Sequence, residues 1–406
     1  MSAHGDSCLI PKIPSTGNMT KQVTVNQNET QLKLKLFGSS KSSSIRESSP
    51  KSYLSESEDE YEDDTLNGKT DNCTQTKSGN KKKGNRTMTS IIIPTHKPKK
   101  RKIKLMDWKR YHRLNVIYAF LDELERDFPA ICTVSVIGKS VEGRDIKMLK
   151  ISNSDASNSA VWLDASIHSR EWISTAVVTY IADVLAKNFQ KLSPSIRNKD
   201  WHIVPVINPD GYEYSHTKDR MWRKNRGVYE GGTGVDLNRN FSCGWGNNGE
   251  QGSSEEPDNI FYRGPVPFSE PEAVAVRDAI LGATTPFTVY LSFHSYFEMI
   301  IFPWGYKKDA CPDYIKLLEG AAVMARAIYD TTGMTYKVGS TKDMTYYACG
   351  TSTDWCYGIA KIPFCYMVEL RSRKYKFKLP KDMIMDTCVE IWNAVKNLMD
   401  YVDHVK

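Results

Sequence analysis

Ala160-Val161-Trp162-Leu163-Asp164-Ala165-Ser166-Ile167-His168-Ser169-Arg170-Glu171-Trp172 opens on an apolar run and closes on side chains with chemistry to offer. Residues 160–167 read as a buried strand, and Ile173, Val177, Tyr180, Ile181, Val184 and Leu185 continue as a long helical pattern. His168 and Glu171 therefore stand where a strand gives way to a helix, the place at which α/β folds hold their ligands. Upstream, Leu114, Ile117, Tyr118, Leu121 and Leu124 recur at helical spacing, with Pro129 as a stop. Short strand-like runs at 134–137 and 146–151 flank Glu142-Gly143-Arg144, which has hairpin-turn character. Downstream, 201–207, 289–293 and 362–368 read as buried strands, while 273–280, 314–329 and 382–402 read as helices. Strands alternating with long helices predict one α/β domain over residues 107–406, built on a mixed, mainly buried sheet with helices on both faces.

Composition divides the chain in two. Of its 406 residues, 55 are Lys or Arg and 48 Asp or Glu, a net +7. Residues 1–106 hold 19 of those cations and 11 of those acids, which leaves 107–406 at −1. A near-neutral body with a basic tail argues against a folded nucleic-acid-binding surface, so no nucleic-acid contact is expected from residues 107–406. No run approaches the roughly 18–20 apolar residues of a membrane span. No secretory signal is readable in residues 1–11. Nine cysteines, odd in number and without a C-x-x-C pair, read as mostly free thiols.

Residues 1–106 form a low-complexity polar tail, with a serine-rich run at 39–44 and an acidic block at 56–64. Such a segment buries too little apolar surface to offset chain entropy and is expected to be disordered. Ser55 and Ser57 fit acidophilic phosphorylation sites or a plain solvated charge run. Asn18, Asn28, Asn72 and Asn85 each fit N-x-S/T, a pattern that arises readily by chance in this composition. The basic run 97–104 suits a nuclear address, a membrane or polyanion contact, a dibasic cleavage site or a solvated linker.

Taken alone, His168-x-x-Glu171 describes a capping pair as well as a metal site. His294 follows another apolar run, 289–293, and so brings a third ligand to the same rim. Two imidazoles and a carboxylate with one open position suit a catalytic Zn²⁺.

Three further segments extend the pattern: Arg220-Met221-Trp222-Arg223-Lys224-Asn225-Arg226, Val235-Asp236-Leu237-Asn238-Arg239-Asn240-Phe241 and Val368-Glu369-Leu370-Arg371. With Tyr111-His112 and Val141-Glu142-Gly143-Arg144, they make the chain resemble the zinc carboxypeptidases of the funnelin type, in the carboxypeptidase A/B branch, between residues 108 and 404. The resemblance implies a carboxypeptidase-like single domain with an eight-stranded sheet, a monomer, and one zinc ion per chain held by His168, Glu171 and His294. Asp236 would accept the other ring N–H of His168 and fix its tautomer. Glu369 would act as general base on the zinc-bound water and return the proton to the leaving amine. Arg223 would hold the developing oxyanion. Asn238 and Arg239 would receive the terminal carboxylate, for which an arginine fork is suited. Tyr346 would close over the substrate, and Arg170, Arg220, Ser295 and Tyr296 would line the outer subsites.

Specificity by the same resemblance turns on Thr353, where members that remove Lys or Arg carry an acid. Ile301, Gly305, Thr341, Ala348 and Met367 would line the rest of the pocket, and none is charged. A neutral pocket leaves a charged side chain's desolvation uncompensated. The implied activity is release of a neutral, apolar or aromatic C-terminal residue from peptides or proteins. Secreted members carry a disulfide at places that match Gly232 and Asp258, and both halves are absent together, which fits a reducing compartment. The expectations for location are thus secretion by family resemblance or, as the alternative, a nucleocytoplasmic enzyme. The tail resembles no folded pro-domain, so activity without proteolytic release is expected. The stretch 371–377 is shorter than the family's and lacks its glycines.

Overall fold

The computed structural model describes residues 106–405, so the readings of the tail, its phosphorylation sites and its basic run lie outside the described residues. Eight strands form one mixed sheet: β1 (Cys132–Lys139), β2 (Asp145–Ile151), β3 (Ser159–Ala165), β4 (Lys199–Val204), β5 (Phe287–Ser295), β6 (Met299–Phe302), β7 (Lys337–Ser340) and β8 (Phe364–Leu370). Their order across the sheet is β1-β2-β4-β3-β5-β8-β6-β7. The four central strands β4, β3, β5 and β8 run parallel, and β1, β2 and β6 enter antiparallel contacts at the flanks.

Parallel central strands are covered on both faces, which is why they read as unbroken apolar runs. Val161, Leu163, Ile203, Val289, Leu291 and Phe293 are fully buried. The helices α1 (Leu114–Asp127), α2 (Trp172–Asn188), α3 (Pro209–Thr217), α4 (Pro271–Leu281), α5 (Tyr314–Thr332), α6 (Ser352–Gly358) and α7 (Ile384–His404) flank this sheet. α1 buries one stripe, Leu114, Ile117, Phe120, Leu121 and Leu124, and stops at Phe128, which precedes Pro129 and so is biased away from helical backbone. α7 packs against both α5 and α2. The β1–β2 turn closes through Ser140 and Arg144, with Gly143 at φ +84°, a backbone state that favours glycine.

Several boundaries differ from the sequence expectation. The strand expected over 201–207 ends at Val204, because Pro205 has no N–H for the ladder. β8 begins at Phe364 and continues through Glu369 to Leu370, so Glu369 lies within the strand instead of after it. His294 likewise is the penultimate residue of β5. The consequence for the site is direct: β3, β5 and β8 are parallel neighbours, so their C-terminal ends share one edge of the sheet.

Candidate metal centre and active site

At that edge β8 pairs Glu369 with His294 of β5, and the turn after β3 supplies His168 and Glu171. His168, Glu171 and His294 are all buried, and their ligand atoms lie within 4.8 Å of one another. Glu171 is also the residue just before α2, at its N-cap, with Ser174 Oγ donating to its carbonyl at 2.6 Å. Its carboxylate turns away from the helix: Oε1 lies 2.9 Å from His168 Nδ1 and Oε2 3.0 Å from His294 Nδ1.

The proton inventory shows what this set can hold. His168 Nε2 is 3.2 Å from Asp236 Oδ1, an acceptor. His294 Nε2 is 3.1 Å from Ser292 Oγ, whose own hydrogen is donated to Asp164 Oδ1 at 2.6 Å. Each Nε2 therefore carries its ring's hydrogen, and each Nδ1 is left as a lone pair. The two Nδ1 atoms face one another at 3.1 Å beside a carboxylate. Lone pairs converging in a dry place repel unless a cation lies among them, and two nitrogens with one carboxylate are a zinc donor set. Burial keeps His168 below its ordinary pKa. For His294 burial acts the same way, but the charge of Glu171 outweighs it and moves that ring's pKa upward.

Asp236 is the electrostatic hub beside the cluster. Its Oδ1 accepts from His168 and from the Asn238 backbone N–H at 3.0 Å, and its Oδ2 accepts from Arg223 Nε at 3.0 Å and Nη2 at 2.8 Å. Burial opposes its charge, yet Arg223, Arg239 and His168 outweigh that and hold it well below the usual carboxylate range. Burial pushes Glu369 the other way, upward, with the charge of Glu171 adding to it and His294 and Arg223 opposing.

A cavity of about 240 Å³ opens from the cluster. His168, Arg170, Glu171, Arg223, Asn238, Arg239, Ser295, Tyr296, Tyr346 and Glu369 all line it, as do the expected pocket residues Ile301, Thr341, Ala348 and Met367. Four buried polar atoms on its wall, Arg170 Nε, Arg239 Nε, Ser295 Oγ and Glu369 Oε2, have no hydrogen-bond partner among the described residues. Buried polar atoms are nearly always paired, so such a group marks where a ligand or water completes the site. Tyr346 is half exposed, with its hydroxyl 3.3 Å from Arg239 Nη2.

Three expected positions stand back from the cavity. Arg220 donates through Nη1 to the Arg170 carbonyl at 2.7 Å and through Nη2 to the Phe377 carbonyl, with its guanidinium 3.6 Å over the Trp172 ring. It braces the rim instead of lining it. Thr353 is fully buried in α6 and Gly305 sits behind the wall, where a Cβ would meet the Ala348 carbonyl at 2.8 Å and Thr341 Cγ2 at 3.2 Å. Phe261, Phe297, Phe377, Thr345 and Thr351 line the cavity without having been foreseen. Ser292 and Asp164 were also missed, although Ser292 shares a strand face with His294 and Asp164 is its register partner on β3.

A mixed sheet with His-Glu-His at the edge of its parallel strands, joined to an arginine-lined cavity, defines a zinc metallopeptidase. The zinc carboxypeptidase family profile matches residues 117–394, and the chain belongs to that family. It is 38% identical to carboxypeptidase B of Astacus astacus over 301 residues, which cover 73% of this chain and 98% of that protein. It is 34% identical to carboxypeptidase A1 of Rattus norvegicus over 301 residues, covering 73% and 71%. The fold resembles bovine thrombin-activatable fibrinolysis inhibitor in its complex with tick carboxypeptidase inhibitor, at TM-score 0.69 and 34% identity over 73% of this chain and 99% of that one. The chain is thus a metallocarboxypeptidase, a hydrolase with zinc as its cofactor and peptides as substrates. Among the described residues no helix is long and apolar enough to cross a membrane. The described cysteines are all free and buried, and a Cβ on Gly232 would stand 2.6 Å from the Asp258 nitrogen, so the two positions named for the family disulfide do adjoin.

Proposed function

We propose that the chain removes a neutral, apolar or aromatic residue from the C-terminus of peptides or proteins, with Glu369 as general acid and base. The observation that carries this reading is the set of unpaired buried atoms on the wall of one cavity, an Arg239 nitrogen and a Glu369 carboxylate oxygen among them, where His168 and Glu171 of the cluster also line the wall. The terminal carboxylate would pair with Arg239 and Asn238, which limits cutting to free C-termini. Arg223, anchored on Asp236, keeps its guanidinium beside the cluster and can hold negative charge that develops on the carbonyl oxygen. Glu369, raised by burial, would take a proton from the attacking water and deliver it to the departing amine. When bound, zinc supplies the Lewis acidity that makes water nucleophilic near neutral pH.

Ile301, Thr341, Ala348 and Met367 give the terminal side chain neutral walls. The neighbouring acid Asp354 does not line the cavity and is turned to the Gly305 and Tyr306 backbone N–H groups, from which it accepts at 2.9 to 3.2 Å. Release of C-terminal residues from peptides ending in Phe, Leu, Lys or Glu tests the reading. Phe and Leu should be released, chelator should stop the reaction, and Glu369→Gln should abolish it. Preferential release of Lys would refute the neutral pocket, and zinc binding without any release would point to a binding protein. We also take the chain to act as a monomer, to be checked by sedimentation of the zinc-loaded protein.

A further inference from the structure

Residues 371–381, Arg-Ser-Arg-Lys-Tyr-Lys-Phe-Lys-Leu-Pro-Lys, contain six cations and no acid; since residues 107–406 total −1, the rest of that body carries −1 − 6 = −7. Arg371 is spent internally: it is buried and pairs with Glu390. Arg373 is partly offset by Glu298, 3.6 Å away. Lys374, Lys376 and Lys378 are exposed on the surface, Lys374 with its ammonium 4.8 Å from the Tyr375 ring.

The segment is fixed at the mouth of the catalytic cavity. Phe377, between two of these lysines, lines the cavity together with Tyr296 and Phe297. Its ring packs on Tyr296 at 4.7 Å and lies 4.0 Å from the Arg170 guanidinium. Its carbonyl accepts from Arg220, while Arg373 Nε donates to the Phe297 carbonyl at 3.0 Å. A substrate whose last residue pairs with Arg239 shares the cavity with Phe377 and so lies beside this lip. At about 3.3 Å per extended residue, the residues just upstream of the scissile bond would pass the lysines.

We propose that this lip selects peptides with acidic residues within a few positions upstream of the scissile bond. The proposal rests on the carboxypeptidase reading above and adds a substrate class to it. Exposed lysine side chains on the segment that carries Phe377 attract carboxylates without burying them, so the effect is on encounter and register more than on tight binding, and it is screened by salt.

The test compares two peptides with the same C-terminal Phe, one preceded by three Glu and one by three Gln, hydrolysed by the zinc-loaded full chain. At about 0.05 M salt we expect the Glu peptide to show about fivefold higher kcat/KM, since each exposed pair contributes modestly. The ratio should fall toward one at about 0.5 M salt. The triple variant Lys374→Glu/Lys376→Glu/Lys378→Glu should invert the ratio, and the corresponding triple arginine variant should keep it. A ratio of one at low salt, a ratio indifferent to salt, or one that survives charge reversal would overturn the proposal. The salt series on the unaltered chain decides even if the triple variant folds poorly. Cleavage of both peptides at equal rates would remove the lip's role and leave the enzymatic reading intact, whereas cleavage of neither would remove both.

Discussion

Asp236→Asn isolates the hub of the site, because the substitution keeps the shape of the side chain and removes only its charge and one acceptor. In the unaltered chain one oxygen serves two N–H donors, from His168 and the Asn238 backbone, and the other serves the buried Arg223 guanidinium. An amide has one oxygen for these two jobs. If that oxygen faces Arg223, the amide hydrogens meet the His168 N–H, the imidazole must shift its hydrogen to Nδ1, and a metal ligand is lost. If it faces His168, Arg223 is left buried against donors. Charge makes the first arrangement the better one, so zinc affinity should fall by about 10- to 100-fold, as expected when a ligand's hydrogen-bond partner is removed. The apo chain should also lose about 3 kcal/mol of stability, because a buried charge is deprived of its counterion. Zinc competition with a chromogenic chelator reads the first effect and urea denaturation of the apo chain the second. Since the folded-state pKa of Asp236 lies below its ordinary value, its contribution is present above pH about 3.8 and is lost only as pH falls through the lower folded value. The stability gap between the two chains should therefore hold from neutral pH into moderate acid and close only at the acid extreme. Zinc affinity within twofold of the original, together with an unchanged urea midpoint, would refute the tautomer and counterion reasoning.

Glu369→Gln should retain zinc and lower kcat by about 10²- to 10⁴-fold, the range for loss of a positioned acid-base group, measured on a Phe-ending peptide; loss of metal instead would show that Glu369 is structural. Glu272, pushed up to about 7 by burial, shares the Asn225 amide with Glu270. Its folded pKa exceeds its unfolded one, so its contribution is full below about pH 4.5 and is lost as pH rises through about 7. Stability by urea denaturation should accordingly decline by roughly 3 kcal/mol between those limits, and Glu272→Gln should flatten that slope. Deleting residues 1–104 should leave kcat/KM for a short peptide within about twofold while changing where a fluorescent fusion of the chain resides in cells; a large change in rate would make the tail part of the catalytic unit.

Legibility in the sequence followed burial. His168, His294 and Glu369 stood out because each is a polar group at the end of a continuous apolar run, with Glu171 three residues beyond His168, and such runs are what two-sided burial in a parallel sheet produces. The same logic misplaced Glu369 by taking polarity as the end of the strand, whereas the ladder carries it as the register partner of His294. β6 and β7 escaped notice because four residues each are too few to establish a period. The aromatic wall of Phe261, Phe297 and Phe377 comes from segments without periodicity, so only tertiary placement brings it together. Arg220 shows a subtler limit. Its position in a basic run suits a substrate contact, but the carbonyls of Arg170 and Phe377 claim its donors, and no local pattern reveals which distant carbonyls a guanidinium will meet.

The two histidines are held by unlike means to the same end. His168 is locked by a carboxylate that also anchors Arg223, so the ring's tautomer and the position of the Arg223 charge depend on one side chain. His294 is locked by a hydroxyl whose hydrogen is committed to Asp164, itself held by the Trp162 indole N–H at 2.8 Å. The first lock comes from a loop and the second from within the sheet, where β3 and β5 place Asp164 opposite Ser292. Aligning two parallel strands thus sets a proton's location on a third group, two residues further along. That coupling makes the register of the central sheet a determinant of metal binding: slipping β5 by one residue would turn both Ser292 and His294 to the opposite face.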